Sequence, residues 1–74
     1  EFYYEDLVGM IVKTATDDNV GTVVAVENFG ASDLLEVKPP LGATFYLPYA
    51  DEYILEVDLP AKTITAEIPE GLRD

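Results

Sequence analysis

Apolar and polar residues alternate in short stretches along this chain. Gly, Pro, Asp and Asn separate the stretches, a pattern that predicts strands joined by turns. β-branched and aromatic residues fill the stretches, and helical signals are weak. Six strands are predicted at intervals of about ten residues, the spacing of a barrel or sandwich. The first covers residues 9–14, with Met10 and Val12 inward and Ile11 and Lys13 outward. Asp17, Asp18 and Asn19 then form a polar turn, and Gly21 is able to supply a positive φ. That turn lacks the ligand spacing and distal Glu of a calcium loop, so it reads as a turn.

The second strand, residues 22–27, is apolar on both faces through Val23, Val24, Ala25 and Val26. Such a strand is either central and covered or broken by a bulge that shifts its register. Residues 28–32 form a turn, and residues 33–38 form the third strand, with Leu35 and Val37 inward and Leu34, Glu36 and Lys38 outward. Pro39 and Pro40 stop it, because neither donates to a ladder. The fourth strand is residues 44–47, and residues 49–52 make one helical turn. In the fifth, residues 53–59, Leu55, Val57 and Leu59 alternate with Ile54, Glu56 and Asp58. The sixth, residues 63–68, alternates most regularly, with Ile64, Ala66 and Ile68 inward. The fold class is therefore all-β, a small six-stranded barrel. Residues 1–8 form an aromatic N-terminal arm, 9–68 the barrel and 69–74 a tail. Closing the barrel would hide strand edges that otherwise invite aggregation.

Length and composition narrow the classes. Seventy-four residues make one thin-cored domain. With no cysteine and no histidine in the chain, disulfides and thiolate or imidazole metal sites are excluded, and no cofactor is implied. The missing cysteine fits a reducing, cytoplasmic setting. No segment has the apolar length of a membrane span. The start at Glu1 without Met is expected of a domain cut from a longer protein.

Charge adds the most. Fifteen acidic residues against four basic ones give a formal net charge of −11. Nucleic-acid affinity comes from clustered Lys and Arg, whereas Lys13, Lys38, Lys62 and Arg73 are scattered singly. Direct nucleic-acid binding is therefore not expected. The acidity suits solubility or a basic protein partner.

Catalytic chemistry finds little support. Ser32 is the one serine, no His or Cys is present, and the five glycines are isolated, so neither a nucleophile with its base nor a phosphate loop is legible. Carboxylates are plentiful, but they fall at outward strand positions and in turns, which reads as a solvated acidic face. The aromatics are the other candidates. In an extended arm Phe2 and Tyr4 point one way and Tyr3 the other. These rings either cap the open end of the barrel or offer a partner surface, for which Tyr is well suited. Tyr46, Tyr49 and Tyr53 flank Pro48 and read as packing at the barrel rim, with rim contacts as the second reading.

Taken in order, these segments resemble the C-terminal PRC-barrel domain of RimM-type ribosome maturation factors. Residues 1–9, Glu-Phe-Tyr-Tyr-Glu-Asp-Leu-Val-Gly, are similar to that domain's opening: an aromatic run, then Asp-Leu, one residue and Gly. Residues 20–26 resemble its Leu-Gly-x-Val-x-x-Val segment, and residues 30–38 its Gly-x-x-Asp-x-Leu-x-Val segment. Tyr46-Leu47-Pro48-Tyr49 stands where the family has Leu-Ile-Pro-Phe, and Val57-Asp58-Leu59, Ile64 and Pro69-Glu70-Gly71-Leu72 follow its closing pattern. Tyr4 replaces a common Trp, Phe29 and Ser32 replace Thr and Asn, and Tyr46 and Tyr49 replace Leu and Phe. These exchanges bear on the aromatic contact surface more than on the fold.

The resemblance implies a cytoplasmic, non-catalytic factor in small-subunit assembly and rRNA processing. It implies binding to the assembling subunit and to a basic protein of the subunit head, the nineteenth of the small subunit. It places partner contacts at Phe2 and Tyr3, with Tyr4 and Asp6 beside them. It also implies a further N-terminal domain in the parent protein. The competing expectations are another PRC-barrel module, stand-alone or like the reaction-centre H subunit, and a more remote carboxylate hydrolase.

Overall fold

The computed structural model describes residues 4–29 and 32–69, apart from the side chains of Tyr4, Phe29 and Ser32. A short helix α1 (Tyr4–Leu7) precedes six strands: β1 (Ile11–Lys13), β2 (Asn19–Phe29), β3 (Ser32–Lys38), β4 (Phe45–Pro48), β5 (Ile54–Asp58) and β6 (Thr63–Ala66). They form one curled sheet in the order β4-β3-β2-β1-β6-β5. Pairing is antiparallel except between β1 and β6, where Ile11, Val12 and Lys13 run parallel to Thr63, Ile64 and Thr65. The predicted all-β, barrel-like class is what forms.

The predicted inward positions are the ones that are buried. Met10, Val12, Leu35, Val37, Ile64 and Ala66 fill the concave side, and Ile68 packs against them. Leu7, Val20, Val23, Phe45 and Leu47 complete the core. Sealing a side chain of this size contributes about 1.5–3 kcal/mol. For Leu7 that gain accounts for α1: from Tyr4 on, where an extended arm was expected, a helical turn lowers Leu7 onto the barrel end. Gly9 follows at φ 94, the left-handed conformation that glycine adopts freely after a helix. Its N–H donates to Val23 O at 2.7 Å, and Val23 N–H donates to Met10 O at 2.9 Å.

Gly21 has the positive φ expected of it, at 159, but within β2 rather than in the turn. Its backbone is nearly extended and buried within β2, and an added Cβ would lie 2.6 Å from the Lys38 carbonyl oxygen. Close strand approach is what demands glycine there. The left-handed residue of the preceding turn is Asp17, at φ 73. Strand β2 is longer at both ends than its apolar run, because Asn19 pairs with Lys13 while Asn28 and Phe29 pair with Asp33 and Ser32.

Three bulges shape the sheet. Opposite Val12 and Lys13 the β2 register steps from Gly21 to Asn19, which inserts Val20. In β2 the register steps between Val23 and Ala25, so Val24 is the inserted residue. This settles the two-faced apolar run in favour of a bulge. In β5 the register steps between Ile54 and Glu56, which inserts Leu55. That step breaks the predicted alternation. Ile54 and Val57 pack on the core, while Leu55 and Leu59 are exposed. A one-residue slip reverses the facing of every residue before it, so the two inward residues are three apart rather than two.

The sheet ends are not paired to each other among the described residues. Its two edges, β4 and β5, are consecutive in sequence, and residues 49–53 carry the chain across the gap. Tyr53 and Ile54 N–H groups both donate to Ala50 O, at 2.9 and 2.8 Å, which makes the predicted single helical turn. The expected hiding of edges by closure therefore does not occur; a covalent strap spans the opening instead.

Candidate functional site

Two surface regions hold the candidate residues. The first lies around α1. Phe2 and Tyr3 fall outside the described residues, Tyr4 begins the helix, and Asp6 is exposed on it. Beside Asp6, a shallow hollow of about 270 Å³ is lined by Val8, Gly9, Met10, Leu59 and Lys62. Val8 and Leu59 are large apolar residues left open to solvent. The buried Leu7 and the Gly9–Val23 hydrogen bond fix the root of the arm at this end of the barrel.

The second region is the strap and the β5 edge. The three rim tyrosines divide there. Tyr49 and Tyr53 are half-buried and pack against the core. Tyr46 pairs across the sheet with Glu36, is 43% exposed, and alternates with the inward Phe45 and Leu47. Rim packing thus holds for Tyr49 and Tyr53, and Tyr46 stands on the opposite face. Burial, with a smaller contribution from the Asp51 carboxylate, holds the Tyr49 phenol above its ordinary range. Tyr49, Asp51, Ile54, Leu55 and Val57 line a hollow of about 240 Å³. Leu55 also borders a second hollow of about 250 Å³, together with Thr14, Thr16, Ala66 and Ile68.

Leu55, Val8 and Leu59 are surface features that alternation alone assigns to the core or passes over. The adjacent apolar pair Ile54-Leu55 was the available signal, since two neighbours cannot both face inward in a regular strand.

The electrostatics are those of a solvated acidic shell. Among the described residues one ion pair forms, Lys13 Nζ to Asp17 Oδ1 at 2.8 Å across the β1–β2 turn. Its hydrogen bond, then its charge, raise the Lys13 pKa and lower that of Asp17. Among the described residues no group of three carboxylates is placed to hold a metal ion. No helix among the described residues is long and apolar enough to cross a membrane.

A curled six-stranded sheet with an acidic exterior and exposed apolar residues at one end and along one edge defines a small β-barrel-like domain. Residues 4–72 match the RimM PRC barrel domain, and the chain belongs to that family. It is 47% identical over 73 residues to the ribosome maturation factor RimM of Chelativorans sp. (strain BNC1), covering 97% of this chain and 34% of that protein. It is 41% identical over 69 residues to the ribosome maturation factor RimM of Rhodopseudomonas palustris (strain BisB5), covering 93% and 39%. The crystal structure of a 16S ribosomal RNA processing protein RimM from Pseudomonas aeruginosa superposes with a TM-score of 0.85 at 25% identity, over 92% of this chain and 44% of that one. The chain thus spans between a third and a half of the length of these relatives. Family membership decides between the RimM-type reading and the other PRC-barrel readings.

Proposed function

We propose that this domain acts in ribosome maturation and 16S rRNA processing as a non-catalytic, cytoplasmic binding module for a basic protein of the small-subunit head, the nineteenth small-subunit protein. Membership of the RimM PRC barrel family carries this reading, through relatives named ribosome maturation factors. The net charge of −11 supports it: complementary charge speeds encounter with a basic partner and disfavours contact with RNA phosphates. In this reading the barrel keeps the basic protein away from wrong RNA contacts until it joins the assembling subunit.

Contacts are assigned to Phe2, Tyr3, Tyr4 and Asp6, because aromatic side chains supply buried anchors at interfaces. The exposed Val8 and Leu59 at the root of the arm extend the same end with apolar surface. Tyr46 is a further contact on the outer face. The test is a pull-down with the purified basic protein at low and moderate salt. A Phe2→Ala/Tyr3→Ala double variant is expected to bind about ten-fold more weakly or worse. Undiminished binding by that variant sinks the arm assignment, and no binding by the unaltered chain sinks the partner.

A further inference from the structure

We infer that the free edge of β5 docks an extended, basic segment of a protein partner by strand addition. The inference rests on the reading of this chain as a binder of a basic ribosomal protein and names a surface for that contact. Strand β5 pairs with β6 on one side only, and β4, the other edge, is not hydrogen-bonded to it. Among the described residues, no backbone hydrogen bond joins residues 55–58 to any element other than β6. The edge is five residues long, about 17 Å of ladder, and an extended peptide gains affinity from such a row of open N–H and C=O groups.

Charge decides the occupant. Residues 51–58 carry Asp51, Glu52, Glu56 and Asp58 and no basic residue. Glu56 and Asp58 lie close enough to Lys13 to act on its pKa, but that ammonium is already engaged by Asp17 at 2.8 Å. A second copy of β5 would set carboxylate against carboxylate, so the edge is guarded against self-association. The same charges favour Lys and Arg on an incoming strand. Strand β4, by contrast, consists of Phe45, Tyr46, Leu47 and Pro48; it has no charged residue, and Pro48 has no N–H to offer.

Apolar recognition is also in place. The bulge turns Leu55 outward, 51% exposed, between hollows of about 240 and 250 Å³. In strand addition the main chain supplies affinity, and pockets beside the edge read the side chains. An alternating basic and β-branched segment therefore fits this edge.

The test follows backbone amide signals of the isotope-labelled chain during titration with two probes. One is the purified basic small-subunit protein; the other is a peptide of roughly nine residues alternating Lys and Val, long enough to span the edge. The peptide is also used with alternate amides N-methylated, which keeps its charge and removes its pairing donors. Shifts centred on residues 55–58 are expected with both probes, with binding at least ten-fold weaker for the methylated peptide. Glu56→Lys, at an exposed position, is expected to weaken binding of the unmethylated peptide about three-fold or more. Equal binding by both peptides, or shifts that avoid β5, overturns strand addition. If the ribosomal protein binds while residues 55–58 stay silent, this inference fails and the partner assignment stands. If the peptide docks on β5 and the ribosomal protein does not bind, the partner assignment fails and the edge remains a docking edge.

Discussion

The bulges at Val24 in β2 and at Leu55 in β5 have the same local form and opposite consequences. Each inserts one apolar residue, Val24 or Leu55, and each leaves that residue about half exposed, at 45% and 51%. Each also spaces its inward residues three apart: Val23 and Val26 in one, Ile54 and Val57 in the other. The bulge in β2 lies between two partner strands and is held by the bonds from Gly9 to Val23 and from Val23 to Met10. The bulge in β5 has β6 on one side and an open edge on the other. A bulge inside a sheet bends it and serves the core, whereas the same defect on an edge re-aims a side chain toward a partner. The difference is one of neighbours, not of residue type.

That comparison gives graded expectations. Val23→Ala, beside the central bulge, should cost about 2–3 kcal/mol through lost burial and an unfilled cavity. In a domain this small it should lower Tm by roughly 10–20 °C in a thermal melt. Leu55→Ala removes one more carbon, yet it should cost under about 0.5 kcal/mol by denaturant titration, because the side chain is already half in solvent. Equal losses for the two variants would break the comparison.

Smaller effects separate the two regions by pH. The raised Tyr49 pKa means that the folded state binds its proton more tightly than the unfolded state. The stability associated with it is present below the ordinary phenol value of about 10 and is lost as pH rises through the folded value. Tyr49→Phe should flatten the alkaline limb of the stability curve, measured by urea midpoint against pH. Asp17, in the turn leading into β2, has the opposite sign. Its lowered pKa makes its contribution present above the ordinary carboxylate value and lost as pH falls through the folded value. Both partners of the pair are exposed to solvent, so Asp17→Asn should flatten the acid limb by the least of the four changes.

Much of the fold was legible in the residues. Met10, Val12, Leu35, Val37, Ile64 and Ala66 lie in or beside strands that carry no inserted residue, and all six are buried. The pattern failed at Leu55, since an alternation rule assumes one register and β5 has two, and at Leu59, which lies past the end of β5 in a turn. It also passed over Leu7, whose burial depends on a helical turn four residues long that local propensity does not announce. Of the candidate site, the sequence groups three tyrosines around Pro48, and only packing divided Tyr49 and Tyr53 from Tyr46.

The sequence by itself determined the strand content, the acidic charge, the inward faces of β1, β3 and β6, and the order of motifs that resembles the RimM PRC barrel. Those properties follow from side-chain chemistry and a two-residue period, which are local. Tertiary structure alone decided that β1 lies parallel to β6, that the sheet ends at β4 and β5, and that Leu55 faces outward. Each of these depends on which strand lies beside which, a choice made by burial summed over residues far apart in the chain.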